Sequence, residues 1–191
     1  PLTLSPSSYA WLLRQMLDYY VVRRSQVVVR SLDRMCKGFA TGTGQICTFR
    51  NCLGLFLAID PAGDIYPCQR FCGRPGWRLG ALAGHPTVAQ LFSAPVAHRF
   101  ALREALMHQR CSACAHQPYC RSGCPYNAWA SGAPDLPDPY CLAYRETFEY
   151  IHQRLSEEAA SEENISAVAD QPWNGTDNPF LRKGAFIELA S

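Results

Sequence analysis

The first half of the chain alternates between helical and extended patterns of apolar residues. Residues 7–21 predict an amphipathic helix capped by Ser7 or Ser8, with five residues on its apolar face: Leu12, Leu13, Met16, Leu17 and Tyr20. The β-branched residues 26–30 predict a strand, and the glycine- and threonine-rich residues 38–45 predict a loop. A helix, a strand and a loop are therefore expected ahead of the central region.

The centre and the end of the chain predict one hairpin and three helices. Residues 55–60 and 64–66 are expected to pair, because Gly63 can take the positive φ that a tight turn requires. Residues 86–92 and 95–109 predict helices with a proline near the first turn. Residues 141–158 predict another helix, with an apolar side formed by Tyr144, Phe148, Ile151 and Leu155. The expected fold class is α+β, a small β-hairpin plus helices.

Composition divides the chain into three parts. Residues 1–45 contain the first helix and strand, and residues 46–155 contain nine of the ten cysteines. Residues 156–191 are rich first in Glu, Ala and Ser and then in Asn, Gly and Pro, which predicts an acidic, flexible tail. The chain starts without Met just ahead of a helix, so we expect it to be cut from a longer protein.

Charge and hydropathy narrow the functional classes. Residues 1–110 hold 13 Lys and Arg but 5 Asp and Glu, whereas residues 111–191 hold 5 and 11. We interpret this as an arginine-rich domain followed by an acidic helix and tail, with a basic face for an acidic peptide as the alternative. Nucleic acid binding is not expected, because no known binding motif accompanies the charge. No signal peptide or membrane span is predicted, which favours the cytoplasm.

Cysteine spacing is the most informative chemical pattern. Clustered cysteines in a reducing compartment usually bind metal. A cubane iron–sulfur cluster needs four ligands, and thiolates are preferred. Three ligands can come from one loop and a fourth from the next helix, which gives the second cysteine set: Cys111, Cys114, Cys120 and Cys141. Four further cysteines can make another set, called the first cysteine set: Cys47, Cys52, Cys68 and Cys124. Cys36 and Cys72 are left over.

Other assignments of these cysteines stay open. Two structural zinc sites would use the same thiolates and the same Cys-x2-Cys turn. A disulfide framework would require export, for which the sequence gives no signal. Cys36 or Cys72 could also replace Cys47 as a ligand.

Several residues near the cysteines have two possible roles. We expect four aromatic residues to shield the metal from water: Tyr66, Tyr119, Tyr126 and Trp129. Three arginines could tune an anionic cluster or hold a peptide carboxylate, or they could be ordinary surface residues: Arg70, Arg74 and Arg78. His116 is expected to be a loop residue, not a ligand.

The cysteine pattern resembles that of a known family. The pattern runs Cys52-x10-Gly63-x4-Cys68, then Cys111-x2-Cys114-x5-Cys120-x3-Cys124, then Cys141. Two short sequence motifs accompany it, GDIYPC at residues 63–68 and GCPYN at residues 123–127. This pattern resembles the seven-cysteine signature of the SPASM domain, over roughly residues 47–150. The domain occurs in radical SAM enzymes that include anaerobic sulfatase maturases and maturases of ribosomally made peptides.

The resemblance implies two auxiliary [4Fe-4S] clusters, held by the first and second cysteine sets. It also implies that residues 7–45 are a remnant of a partial (β/α) barrel. The implied function is an auxiliary cluster domain that serves electron transfer and substrate anchoring in the modification of a peptide or protein. The implied partners are that substrate and an electron donor such as ferredoxin or flavodoxin. The alternatives are a zinc- or cluster-stapled peptide-binding module without redox activity, and a degenerate gene fragment.

Two departures from the family limit the expected activity. The chain contains no Cys-x3-Cys-x2-Cys motif, so AdoMet and a third [4Fe-4S] cluster are expected only in a barrel outside this chain, which alone should not cleave AdoMet. Gln69 stands where sulfatase-maturing members carry an Asp as the expected general base. An amide cannot accept a proton at neutral pH, which favours a different peptide maturase. No catalytic residue is assigned.

Overall fold

The structure is a computed structural model that describes the backbone of residues 4–23 and 26–166. In chain order its helices are α1 (Pro6–Arg23), α2 (Arg30–Thr41), α3 (Val88–Phe92), α4 (Pro95–Arg110), α5 (Gln117–Cys120), α6 (Pro125–Ala130) and α7 (Cys141–Ser166). Its strands are β1 (Ala58–Ile59), β2 (Asp64–Tyr66) and β3 (Gly80–Ala81). The predicted α+β class is confirmed.

The chain divides into two compact units. The first unit contains the described residues up to Ile46 and those from Tyr140 onward, and the second unit is Cys47–Pro139. None of the described helices combines the length and the apolar character needed to cross a lipid bilayer.

The first unit is built from α1, α2 and α7. Its core side chains recur every three or four residues, which is the spacing of one helix face. They are Leu13, Leu17 and Tyr20 of α1, Leu32, Met35 and Cys36 of α2, and Tyr144, Phe148 and Ile151 of α7. Polar pairs border this core: the Tyr20 hydroxyl donates to Asp33 Oδ1 at 3.1 Å, and the Tyr150 hydroxyl donates to Asp18 Oδ1 at 2.6 Å.

Several details of the first unit differ from the sequence predictions. Residues 26–29 form a turn and an irregular segment instead of a strand, and Arg30 already begins α2. Val27 and Val28 are exposed, so the β-branched side chains find no packed surface to favour a strand. The predicted loop starts later, because α2 continues to Thr41 and ends at Gly42 with φ 66°. Met16 is exposed instead of sharing the buried face.

Helix α7 extends beyond its predicted end. It continues through residues 156–166, the first part of the segment assigned to an acidic tail. Residues 167–191 lie outside the described residues, so the rest of that assignment stays a prediction.

The second unit contains a small antiparallel sheet with the strand order β1-β2-β3. The predicted hairpin is present, with Ala58 opposite Tyr66 and Ile59 opposite Ile65. Gly63 takes φ 83° in the turn, and Asp60 Oδ1 accepts hydrogen bonds from the backbone N–H groups of Ala62 and Asp64, both at 3.0 Å. Strand β3 was not predicted, because its two residues Gly80 and Ala81 carry no alternating pattern.

Phe71 is the centre of the core of the second unit. Its side chain is fully buried, and its ring contacts four other aromatic rings: Trp77, Phe100, Tyr126 and Trp129. Three half-buried cysteines pack against this core: Cys52, Cys68 and Cys72. The aromatic core therefore borders two members of the first cysteine set.

We predict that Phe148→Ala destabilises the chain by about 3–5 kcal/mol, because it empties a fully buried position of α7. The matched control is Leu142→Ala on the same helix, which should stay within about 0.5 kcal/mol because Leu142 is half exposed. Loss of helical circular dichroism in urea measures both. Equal losses from the two variants would contradict the packing of the first unit.

Candidate metal centres

The first cysteine set comes together from four separate segments of the second unit. Cys47 begins a 3₁₀ turn, Cys52 lies in the following loop, Cys68 follows β2, and Cys124 precedes α6. Burial raises the pKa of the Cys52 thiol to about 12, and the charges of Cys68, Cys124 and Cys47 add to the shift. The pKa of Cys47 is also raised, by burial and then by Cys124 and Cys68. All four sulfurs are therefore within electrostatic reach of one another.

Hydrogen-bond donors face two sulfurs of the first set. The backbone N–H groups of Arg70 and Phe71 bond to the Cys68 sulfur and oppose the rise in its pKa that burial causes. Arg70 Nη1 lies 3.4 Å from Cys124 Sγ, and the guanidinium stacks on the Tyr126 ring at 4.1 Å. N–H groups aimed at thiolate sulfur are a known means of tuning metal–thiolate centres. Tuning of a cluster is one of the three roles that the sequence leaves open for Arg70.

The loop that carries Cys124 has an unusual backbone. Three consecutive residues have positive φ: Arg121 at 50°, Ser122 at 68° and Gly123 at 75°. A non-glycine residue rarely takes this conformation, so two such residues in a row need support from their surroundings. A Cβ added at Gly123 would stand 2.4 Å from Asp138 Cβ, so glycine is required for the close approach as well.

Asp138 supplies that support. Its side chain is 1% exposed, and its Oδ2 accepts hydrogen bonds from the backbone N–H of Cys124 at 2.9 Å and from Asn127 Nδ2 at 2.7 Å. Its own N–H donates to the Ser122 carbonyl at 2.9 Å. Sequence reasoning missed Asp138, because an aspartate between two prolines is ordinarily a turn residue.

Three members of the second set lie close together in sequence within the second unit. Cys111 directly follows the last residue of α4. The Cys114 N–H donates to the Cys111 carbonyl at 2.9 Å, and Cys120 ends α5 and is buried. Burial and the charge of Cys114 raise the pKa of Cys111. Cys141 is the first residue of α7 and belongs to the first unit. Its place in the second set stays a prediction.

The donor set of the first cysteine set consists of four thiols. Thiolate is the preferred ligand of a cubane iron–sulfur cluster, in which each thiolate binds a different iron, and it is also a ligand of structural zinc. Within the described part of the chain, no group of three or more His, Cys, Asp or Glu side chains is positioned to hold a single metal ion. Cys47, Cys52, Cys68 and Cys124 form no disulfide, unlike in the disulfide alternative.

The other residues singled out in the sequence lie around these centres. Tyr66 and Tyr119 are buried, while Tyr126 and Trp129 belong to the aromatic cluster around Phe71. His116 Nδ1 lies 2.6 Å from the Tyr119 hydroxyl. A cavity of about 380 Å³ opens on one side of the Cys124 loop, and its lining includes Cys52, Arg103 and Gly123.

Comparison with known proteins identifies the relatives of this chain. No protein-family model matches it. It is 26% identical over 157 residues to the cysteine-type anaerobic sulfatase-maturating enzyme of Clostridium perfringens (strain 13 / Type A), a match that covers 80% of this chain and 42% of that protein. A sequence of the same name from a second strain is 26% identical over 158 residues, with the same coverage.

Solved structures point to the same relatives. Native anSMEcpe with bound AdoMet superimposes with a TM-score of 0.67 at 25% identity, over 83% of this chain and 44% of that one. Native anSMEcpe with bound AdoMet and Kp18Cys peptide gives the same TM-score and coverage at 26% identity. The chain spans less than half the length of the relatives it matches.

Fold and sequence point to one class of similar proteins, α+β chains named as anaerobic sulfatase-maturating enzymes. The chain is similar to these enzymes over most of its own length, and the predicted resemblance is confirmed.

We predict that Gly123→Ala weakens the first set, because the new Cβ collides with Asp138 and displaces Cys124. The matched control is Gly132→Ala. Gly132 also has positive φ, at 80°, but no atom lies within 4 Å of the added Cβ. Both variants bear the same backbone strain of about 1–2 kcal/mol, so a difference in iron bound per chain after anaerobic reconstitution isolates the collision. Equal iron contents would contradict it.

Proposed function

We propose that this chain holds two [4Fe-4S] clusters that act as auxiliary redox centres in the radical SAM modification of a peptide or protein. One cluster would be held by the first cysteine set, and the other by the second. The first set is Cys47, Cys52, Cys68 and Cys124, and the second set is Cys111, Cys114, Cys120 and Cys141. The observation that carries the proposal is the gathering of four thiols, three of them buried or half-buried and Cys47 exposed, from four segments of one unit. Four thiols this close to one another would repel as thiolates, so the arrangement is expected only where a bound cationic group compensates their negative charge.

A bound cubane supplies one-electron transfer at a potential set by its surroundings. The residues of this chain define those surroundings for the first set. Phe71 and Tyr66 keep water away from the side of Cys52 and Cys68, since both aromatic side chains are buried in the adjoining core. The N–H groups of Arg70 and Phe71 and the Arg70 guanidinium donate to sulfur, and each donor favours added negative charge there.

The substrate class is inferred from the relatives. One neighbour binds AdoMet together with a peptide, and the curated relatives are named for sulfatase maturation. We therefore propose a peptide or protein substrate for the system in which this chain works. AdoMet cleavage is assigned to a Cys-x3-Cys-x2-Cys segment that the 191 residues do not contain. Gln69 directly follows Cys68 and cannot act as a base, so sulfatase maturation by this chain is not proposed.

An electron donor of the ferredoxin or flavodoxin type completes the proposal. Two exposed guanidiniums, each stacked on an aromatic ring of one connected cluster, form a cationic docking region for this donor: Arg70 on Tyr126 and Arg74 on Trp129. Positive charge near a redox centre speeds the encounter with an acidic carrier. A reducing compartment such as the cytoplasm would keep the thiols available.

Anaerobic reconstitution tests the proposal directly. The wild-type chain should bind about eight iron and eight sulfide ions, as two cubanes require. Cys120→Ala should lose about half of both, because it removes one ligand of the second set, whereas Cys72→Ala and Cys36→Ala should lose none. Zinc binding without sulfide would instead favour a stapled peptide-binding module without redox activity. Equal losses in Cys120→Ala and Cys72→Ala would contradict the assignment of the ligands.

We predict that Arg70→Gln lowers the midpoint potential of the first-set cluster by on the order of tens of millivolts, because a charged donor beside Cys124 is lost. Arg74→Gln is the control, since Arg74 stacks on Trp129 at 5.5 Å and no contact of its guanidinium with sulfur is present among the described residues. Redox titration followed by electron paramagnetic resonance measures both. A shift of the same size in the two variants would show a general charge effect instead of a contact.

A further inference from the structure

Arg103 is a half-buried guanidinium on the inner side of α4 that touches two loops at once. Its Nε donates to the Pro134 carbonyl and its Nη2 to the Leu136 carbonyl, both at 3.0 Å. Its Nη1 lies 3.4 Å from Ser122 Oγ, inside the loop between Cys120 and Cys124. Each nitrogen of the fork is therefore engaged, and the cation is fixed in one orientation.

The fixed cation stands near thiols of both cysteine sets. Burial lowers the pKa of Arg103, and three cysteines oppose this shift: Cys124 and Cys52 of the first set and Cys111 of the second set. Arg103 in turn opposes the rise that burial causes in the pKa of Cys52 and Cys111. It also lines the same cavity as Cys52.

A buried anion lies next to this cation. Asp138 also acts electrostatically on Arg103, and its Oδ2 accepts a hydrogen bond from the backbone N–H of Cys124. The loop that leads to Asp138 is the one that Arg103 holds through Pro134 and Leu136. The cation thus acts on both cysteine sets, whereas the anion bonds to the backbone of Cys124 of the first set.

We propose that Arg103 is a positioning residue shared by the two metal centres, and that it works as an opposed pair with Asp138 to set their redox potentials. The inference rests on the proposed function of the two cysteine sets. Reduction adds one negative charge to a cluster, so a nearby cation favours the reduced form and a nearby anion disfavours it. Partial burial strengthens both effects, because little water screens them. Neither charge ligates the metal.

The test compares charge-changing and charge-keeping variants of the full chain after anaerobic reconstitution. Arg103→Gln should lower the midpoint potentials of both clusters, and Arg103→Lys should leave both near wild type, because it keeps the charge. Asp138→Asn should raise the potential of the first-set cluster and change the second less. The matched control is Arg99→Gln, on the same helix one turn earlier, whose side chain bonds to the Gly76 carbonyl and stacks on Trp77. It should shift neither potential.

The outcomes separate this inference from the proposed function. Wild-type chain without iron and sulfide overturns both. Wild-type chain with two clusters, but with potentials that Arg103→Gln leaves unchanged, overturns the inference alone. An equal shift of the midpoint potentials in Arg103→Lys and Arg103→Gln also overturns the inference, because it would show a role in hydrogen bonding and not in charge. If Arg103→Gln fails to assemble, Arg103→Lys and Asp138→Asn decide, since a purely structural role gives no rise in the first potential.

Discussion

The second unit depends on one electrostatic constraint: several cysteine sulfurs occupy a small, partly dehydrated region. As thiolates they would repel each other strongly, and burial alone already disfavours their charged form. Iron can relieve both costs, since it replaces the protons and supplies positive charge. The arrangement of the surrounding donors follows from the same need, because backbone N–H groups and guanidiniums face the sulfurs wherever the structure gives a contact.

The loop that carries Cys124 shows how the fold meets this constraint. Residues 121–123 take left-handed backbone conformations that would be unfavourable in an isolated peptide. Asp138 and Arg103 hold this loop through backbone and side-chain bonds, so distant residues stabilise what the local sequence disfavours. Strain of this kind is typical of functional sites, where tertiary contacts determine the backbone.

Sequence reasoning predicted the elements that have a strong periodic or spacing signal. Helices α1, α4 and α7 follow their apolar faces, and the hairpin follows Gly63. The predicted strand at 26–30 was wrong because β-branched residues favour a strand only when neighbours pack on them, and Val27 and Val28 are exposed. Strand β3 has only two small residues and no pattern to detect.

Within the candidate metal centres, cysteine spacing predicted which thiols to consider, and the structure brings the four members of the first set within electrostatic reach of one another. The supporting residues were beyond prediction. Asp138 and Arg103 act through contacts between segments more than ten residues apart in sequence, and no local pattern distinguishes a buried aspartate or arginine from an exposed one. The aromatic core around Phe71 had a partial signal, since Tyr126 and Trp129 were expected near the cysteines.

The four sulfurs of the first set are not equally sheltered. Cys124 is buried, Cys52 and Cys68 are half buried, and Cys47 is exposed. Dissolved oxidants and chelators would therefore reach the corner held by Cys47 first and the corner held by Cys124 last. Damage to such a centre would begin at a single vertex, at the exposed first residue of a short 3₁₀ turn.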